Sequence, residues 1–433
     1  MAKLDDLILV SVDDHLIEPP DLFANHIDAQ YKSRAPRVER KNGRDFWTFE
    51  GKVYPSIGLN AVAGRPLDEY GMEPTSYEGM RRGCFDIQAR VDDMNANGLL
   101  GSLCFPTFPG FAGTGFLQIA DKELLYATIR AYNDWHVHVW CGTFAGRMIP
   151  LILLPLWDVE LCVKEIKRLV PHGVHAISFP DSPSSLNLPS IHQAYWDPLW
   201  KVCADNKVVI CTHIGSGSSP PHASLDTPID AWITTFPMTI ALSAGDWLHA
   251  PMWKKYPDLR LALSEGGIGW VPYFLERADI THRHHKGWTH ANFGTEMPSD
   301  VFRRHFITCF IEDAFGLRNI ADCGEDRVTY ECDYPHSDSN WPQSPEGLLS
   351  SLEGVADTVI DKVTHLNAMR EFSFDPFSLL GRHNCTVGAL RSKASHVDCR
   401  PVSGLGGAAS PLQGEKRPVT SGDVQRMFAS TTA

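Results

Sequence analysis

The chain has 433 residues, 43% of them hydrophobic, and a formal net charge of −13. The length fits one large α/β barrel or two ordinary domains, and the charge excludes nucleic acid and anionic membranes as main partners. Eleven cysteines are scattered with no Cys-x-x-Cys pair, which excludes a zinc ribbon or redox dithiol and predicts buried free thiols.

The opening MAKLDD has no apolar core of signal-peptide length, and no window of eighteen apolar residues is free of charge. A cytoplasmic protein without a membrane span is therefore expected. The first apolar run, LILVSV (7–12), leads into VSVDDHLIEPP, where Asp13, Asp14, His15 and Glu18 crowd against two prolines. Residues 19–98 are rich in Pro, Gly, Arg and Trp and too long for a plain strand-to-helix link. They are expected to form an insertion over the barrel mouth, a lid or an oligomer contact.

The runs LLGSLCF (99–105), RMIPLILL (147–154), HAISF (175–179), KVVICTH (207–213), LRLALS (259–264), FITCFI (306–311) and RVTYEC (327–332) follow. Several are near-continuous apolar strands, the pattern of a sheet buried on both faces. Helical spacing of apolar residues marks 121–140 and 158–170, and 270–288 carries Pro272 in its first turn, where proline is tolerated. Eight such alternations predict a (β/α)8 TIM barrel over residues 1–391. An open doubly wound sheet fits less well, because chemically active residues follow at least four strands and only a barrel gathers those ends into one ring. From Ser392 the composition changes to SGLGGAASPLQGEKRPVTSG, and 392–433 is expected to be a loose or disordered tail.

Strand one ends in Asp13-x-His15, strand five in His213, strand six in Glu265, and strand eight in Asp333 with His336 three residues on. Residues two apart on a strand share a face, so Asp13 and His15 can share one metal while Asp14 points away. Taken singly, His213 fits a satisfied core histidine, Asp333 a turn and Asp13 a cap. Taken together, acids or imidazoles end four of eight strands on the face where barrel enzymes work. A mixed oxygen and nitrogen donor set suits Zn, Mn or Fe rather than Ca. Phe105 and Phe108, in FPTFPGFAG, are expected to line a pocket, and Ser216 and Ser218 to touch a substrate carboxylate or to serve as turn residues. Arg277, His136 and His138 fit structural roles on their helices.

The pieces VDDHLIEP, CTHIGS, SEGGIGWVPYFLERAD, CDYPHSDS and KVTHLNAMREFSFDP (362–376) resemble the amidohydrolase superfamily, in the branch of the aminocarboxymuconate-semialdehyde, resorcylate and carboxyvanillate decarboxylases. The resemblance spans roughly residues 7–390. It implies a TIM barrel with a divalent metal at its mouth, held by Asp13, His15, His213 and Asp333. Two positions depart from the pattern. The first ligand is Asp13 instead of His or Glu, and the strand-six histidine is replaced by Glu265, which can act as a general base or as a further ligand.

One expectation is a hydrolase or carboxy-lyase acting on a small organic acid or amide, with Glu265 and Asp333 handling protons. The enlarged inventory of Asp13, His15, Glu18, His213, Glu265, His285, Asp333 and His336 also fits two metals. "DDHLIEPP" and "SEGGIGW" resemble a small set of dinuclear non-haem iron (Fe/Fe or Fe/Mn) oxygenases, which implies hydroxylation of a small acid or amine and an external electron-donor protein. A catalytically silent partner subunit is the third possibility and predicts a missing ligand. A homo-oligomer is expected by analogy, with dimers the commonest state.

Overall fold

The computed structural model describes residues 3–54, 56–71, 73–403 and 416–431. Eight parallel strands run in sequence order around the molecule: β1 (Val10–His15), β2 (Gly101–Phe105), β3 (Met148–Ile149 and Leu151–Ile152), β4 (Ala176–Ser178), β5 (Val209–His213), β6 (Leu261–Ser264), β7 (Phe306–Phe310) and β8 (Val328–Tyr330). β3 is split because Pro150 has no N–H for the ladder. Its first half pairs with β2 and its second with β4. From β4 to β8 each strand pairs with the next.

The ring closes just beyond β8. Asp333 N donates to Asp13 O at 2.9 Å, His15 N donates to Tyr334 O at 2.7 Å, and Cys332 N donates to Ser11 Oγ at 2.8 Å. The barrel interior is filled by one apolar cluster that includes Val10, Leu103, Ile149, Ala176, Val209, Ala262 and Ile307. A second, larger cluster fills the space outside the strands. The helices start where the sequence supplies caps: Asp86, Asp121 and Asp158 accept from first-turn amides of Ile87–Asn97, Lys122–Trp135 and Val159–Leu169.

Within the insertion, Arg37–Lys41, Arg44–Phe49 and Lys52–Tyr54 form an antiparallel sheet. Trp47 stacks on Phe108 at 4.5 Å and Phe49 meets Phe116, so this sheet lies on the loop after β2. Val62 N and Ala63 N both donate to Pro335 O at 2.9 Å, tying it to the loop after β8 as well. These contacts join the insertion to the loops after β2 and β8. Its last part, helix Ile87–Asn97, leads directly into β2 and is the barrel's own first helix.

The tail is not loose throughout. Ser421 N donates to Thr227 O, Gly422 N to Leu225 O, and Ile229 N to Val419 O, so the described end of the chain clasps the loop after β5 before helix Ser421–Thr431. Residues 404–415 lie outside the described residues. All eleven cysteines are free and ten are buried. No helix among the described residues is long and apolar enough to cross a membrane.

Candidate metal centre

The register of β1 against β2 slips by one residue between Ser11 and Asp14. A bulge re-aims side chains at a strand end. Asp13 and His15 point into the mouth, while Asp14 turns to Ser102 Oγ and to Tyr334 N, 3.0 Å away. Beyond β6 and β8, Glu265 and Asp333 adopt left-handed φ of 59° and 56°. Each is held there by a bond from its own amide: Glu265 N donates to Glu331 Oε2 at 3.1 Å and Asp333 N to Asp13 O.

Six side chains from four strands thereby converge. His15 Nε2 lies 3.2 Å from His213 Nε2, 3.2 Å from Asp333 Oδ1 and 3.7 Å from Asp13 Oδ1. His213 Nε2 lies 3.6 Å from Asp13 Oδ2 and 2.9 Å from Glu265 Oε2. His336 Nδ1 is 3.1 Å from Asp333 Oδ1, and its ring stacks on His15 at 3.7 Å. Two overlapping ligand groups result: His15, Glu265, Asp333 and His336, and Asp13, His15 and His213. His213 Nδ1 donates to Ile214 O at 2.6 Å, which leaves the Nε2 lone pair facing the centre.

The donors fit a divalent cation. Both carboxylate oxygens of Asp13 and of Asp333 are buried without a hydrogen-bond partner, as is His336 Nε2, a costly arrangement unless an ion supplies the missing partner. Burial, then the charges of Glu331, Glu265 and Asp14, push the Asp13 carboxyl well above the carboxylate range; burial, Glu265 and Asp13 do the same to Asp333. Burial, then His336 and His213, hold His15 well below the ordinary imidazole range, and burial brings His336 down to about 4. His15 and His336 are therefore neutral donors at neutral pH. A bound cation reverses the penalty on the carboxylates.

The structure does not bring Glu18 or His285 into this cluster. Glu18 accepts from Thr107 N at 3.0 Å and Phe108 N at 2.8 Å, anchoring the loop after β2. His285 sits on the surface of helix Val271–Thr289, where its Nδ1 accepts from Trp288 Nε1 at 3.1 Å. Phe105 packs on His213 at 4.9 Å, but Phe108 lies under the lid against Trp47. Ser216 Oγ is occupied by Asp181 and His213 O, and Ser218 by Asp181. Arg277 is exposed, His138 is exposed, and buried His136 accepts from Leu151 N. Three further residues shape the site. Phe111 lies 4.2 Å from the His213 ring and 4.9 Å from His15. Arg90 is buried and donates to His15 O. Glu331 stands two residues before Asp333, on the parity that strand periodicity assigns to the same face.

A family model described as Amidohydrolase matches residues 26–374. Among solved structures, an amidohydrolase from Mycobacterium avium subsp. paratuberculosis K-10 is 19% identical with a TM-score of 0.64, the match covering 84% of this chain and 99% of that one. A 5-carboxyvanillate decarboxylase from Sphingomonas paucimobilis is 18% identical with a TM-score of 0.53, covering 67% and 84%. A dihydroxybenzoic acid decarboxylase from Polaromonas sp. JS666, with bound manganese and the inhibitor 2-nitroresorcinol, is 21% identical with a TM-score of 0.52, covering 71% and 90%. No curated protein matches the chain.

Proposed function

The chain belongs to the amidohydrolase family, and from that premise we propose that it is a metal-dependent hydrolase or carboxy-lyase acting on a small organic acid or amide. One observation carries the proposal: buried carboxylates and imidazoles from β1 and the ends of β5, β6 and β8 converge at 2.9–3.7 Å, and no hydrogen bond satisfies the Asp13 and Asp333 oxygens. Asp13, His15, His213 and Asp333 would hold a divalent zinc, manganese or iron ion. Such an ion polarises a carbonyl or carboxylate and acidifies bound water.

The rest falls to the chain's own residues. Burial raises the Glu265 carboxyl and attraction to His213 and then His336 lowers it, with the net below its ordinary value. In its ionised form Glu265 is suited to accept a proton at Oε2 or to add a ligand bond. Phe105 and Phe111 flank His15 and His213 and exclude water from that side. The lid and the loop after β8 cover the mouth. The complete donor set speaks against a silent partner subunit.

The test is elemental analysis of protein made without added metal, with Asp333→Asn alongside. Stoichiometric zinc or manganese, with the mouth ion lost in the variant, supports this reading. About two metals with iron dominant would replace it by the dinuclear iron oxygenase. No stoichiometric metal overturns both.

A further inference from the structure

Below the mouth, a second set of donors meets inside the barrel. Cys309 lies on β7, Glu331 directly follows β8, and Asp13 is on β1. One donor atom of each lies within 4.8 Å of the other two. All three are fully buried, and Cys309 Sγ touches Glu331 Oε2 at 2.5 Å. Neither oxygen of Asp13 has a hydrogen-bond partner. Among the described residues, Cys309 is the one thiol that shares a possible ligand group with the acids of the mouth.

We propose that Asp13, Cys309 and Glu331 form a second, deeper cation subsite, which takes a thiophilic divalent ion of the zinc or cobalt class. The proposal extends the reading of the mouth as a metal centre, and Asp13 would bridge the two levels with its two oxygens.

Charge is the first reason. Asp13, Glu265, Glu331 and Asp333 are carboxyls of one contiguous cluster, of which Glu265 is the most exposed, at 15% of its side chain. One divalent ion balances two of these charges. The buried guanidinium of Arg90 is engaged elsewhere, with Gly83 O and His15 O. The carboxyls that the first ion does not balance either keep a proton or take a second cation, and the subsite is the second case.

Donor chemistry is the second reason. A thiolate beside two carboxylates favours soft or borderline ions over Mg or Ca. Binding displaces the thiol proton to solvent and leaves the sulfur as thiolate. The contact between Cys309 and Glu331 must open as the ion enters, because neighbouring ligands around a tetrahedral zinc are about 3.5 Å apart at Zn–S of about 2.3 Å and Zn–O of about 2.0 Å. The competing role for Cys309 is a plain hydrogen-bond donor to Glu331, in which case no sulfur–metal bond forms.

Cobalt(II) titration of the metal-free wild type distinguishes them. The expected result is about two cobalt ions per chain, with an intense near-ultraviolet thiolate-to-cobalt band growing with one of the two equivalents. Cys309→Ser should bind about one and lose that band while keeping the visible bands of the mouth ion. Two cobalt ions without the band, one ion only, or a band that survives in Cys309→Ser would overturn the deep subsite and leave the mouth reading standing. No cobalt at all would sink both. Should Cys309→Ser fail to fold, X-ray absorption on zinc-loaded wild type decides: one sulfur at about 2.3 Å supports the subsite, and none refutes it.

Discussion

Replacing Glu18 decides between an anchor and a ligand. Its carboxylate accepts from the amides of Thr107 and Phe108, which open the loop that sets Phe111 against His213. Despite those bonds, burial pushes its carboxyl from 4.5 up to about 7. A carboxyl raised in the folded state holds its proton more tightly there than in the unfolded chain. Its contribution to stability is therefore full below pH 4.5 and is lost as pH rises through 7. The loss comes to about 2 kcal/mol at pH 6 and about 3.3 kcal/mol at pH 8. Glu18→Gln has no such charge to bury, so its stability relative to wild type should improve by about 1.3 kcal/mol between those two pH values. Glu18→Ala strands two buried amides and should lose roughly 2–6 kcal/mol. Urea unfolding at both pH values, with metal content measured in parallel, checks this. An unchanged difference between Glu18→Gln and wild type, or a loss of metal in Glu18→Gln at unchanged stability, would refute the anchor and return Glu18 to the ligands.

Gly266→Ala would place a Cβ 2.1 Å from Ile240 Cγ2. Overpacking next to Glu265 should cost about 1–3 kcal/mol in chemical unfolding and lower the metal content. Burial holds His136 down to about 3, so its stabilising contribution is present above pH 6.5 and is lost as pH falls. Wild type should lose about 2 kcal/mol from this group by pH 5, a loss absent from His136→Gln when the two are compared by denaturant titration. Deleting residues 416–433 removes the partner of the Ile229 amide, and hydrogen exchange at Ile229 should accelerate while the β5 amides stay protected.

Much of the fold could be read from local pattern, because each barrel strand is a short apolar run with its own period. The convergence of Asp13, His15, His213, Glu265 and Asp333 followed from one rule, that strand ends of a barrel share a ring. Glu18 and His285 entered the inventory by residue type alone, and nothing local told Glu18 that two amides of the next strand's loop would claim it. Glu331 lies two residues before Asp333 but inside the run RVTYEC, so the strand-end rule that marks Asp333 does not reach it. The clasp formed by residues 416–431 had no local signal, since its partners lie near residue 227 and its composition is that of a tail.

The deeper relation between fold and site lies at the seam where β8 meets β1. Glu265 and Asp333 stop their strands in a left-handed conformation that costs on the order of 1 kcal/mol for a residue with a Cβ. Asp333 recovers that cost through its amide bond to Asp13 O, one of the bonds that close the ring. Glu265 recovers it through Glu331, which follows β8 and shares Asp13 with the mouth. A backbone bond that seals the barrel thus aims Asp333, and a carboxylate just past the sealing strand aims Glu265. Removing the cation leaves those carboxylates unbalanced at the seam, so the loosening that follows should begin between β8 and β1 and not in the distant strands β3 and β4.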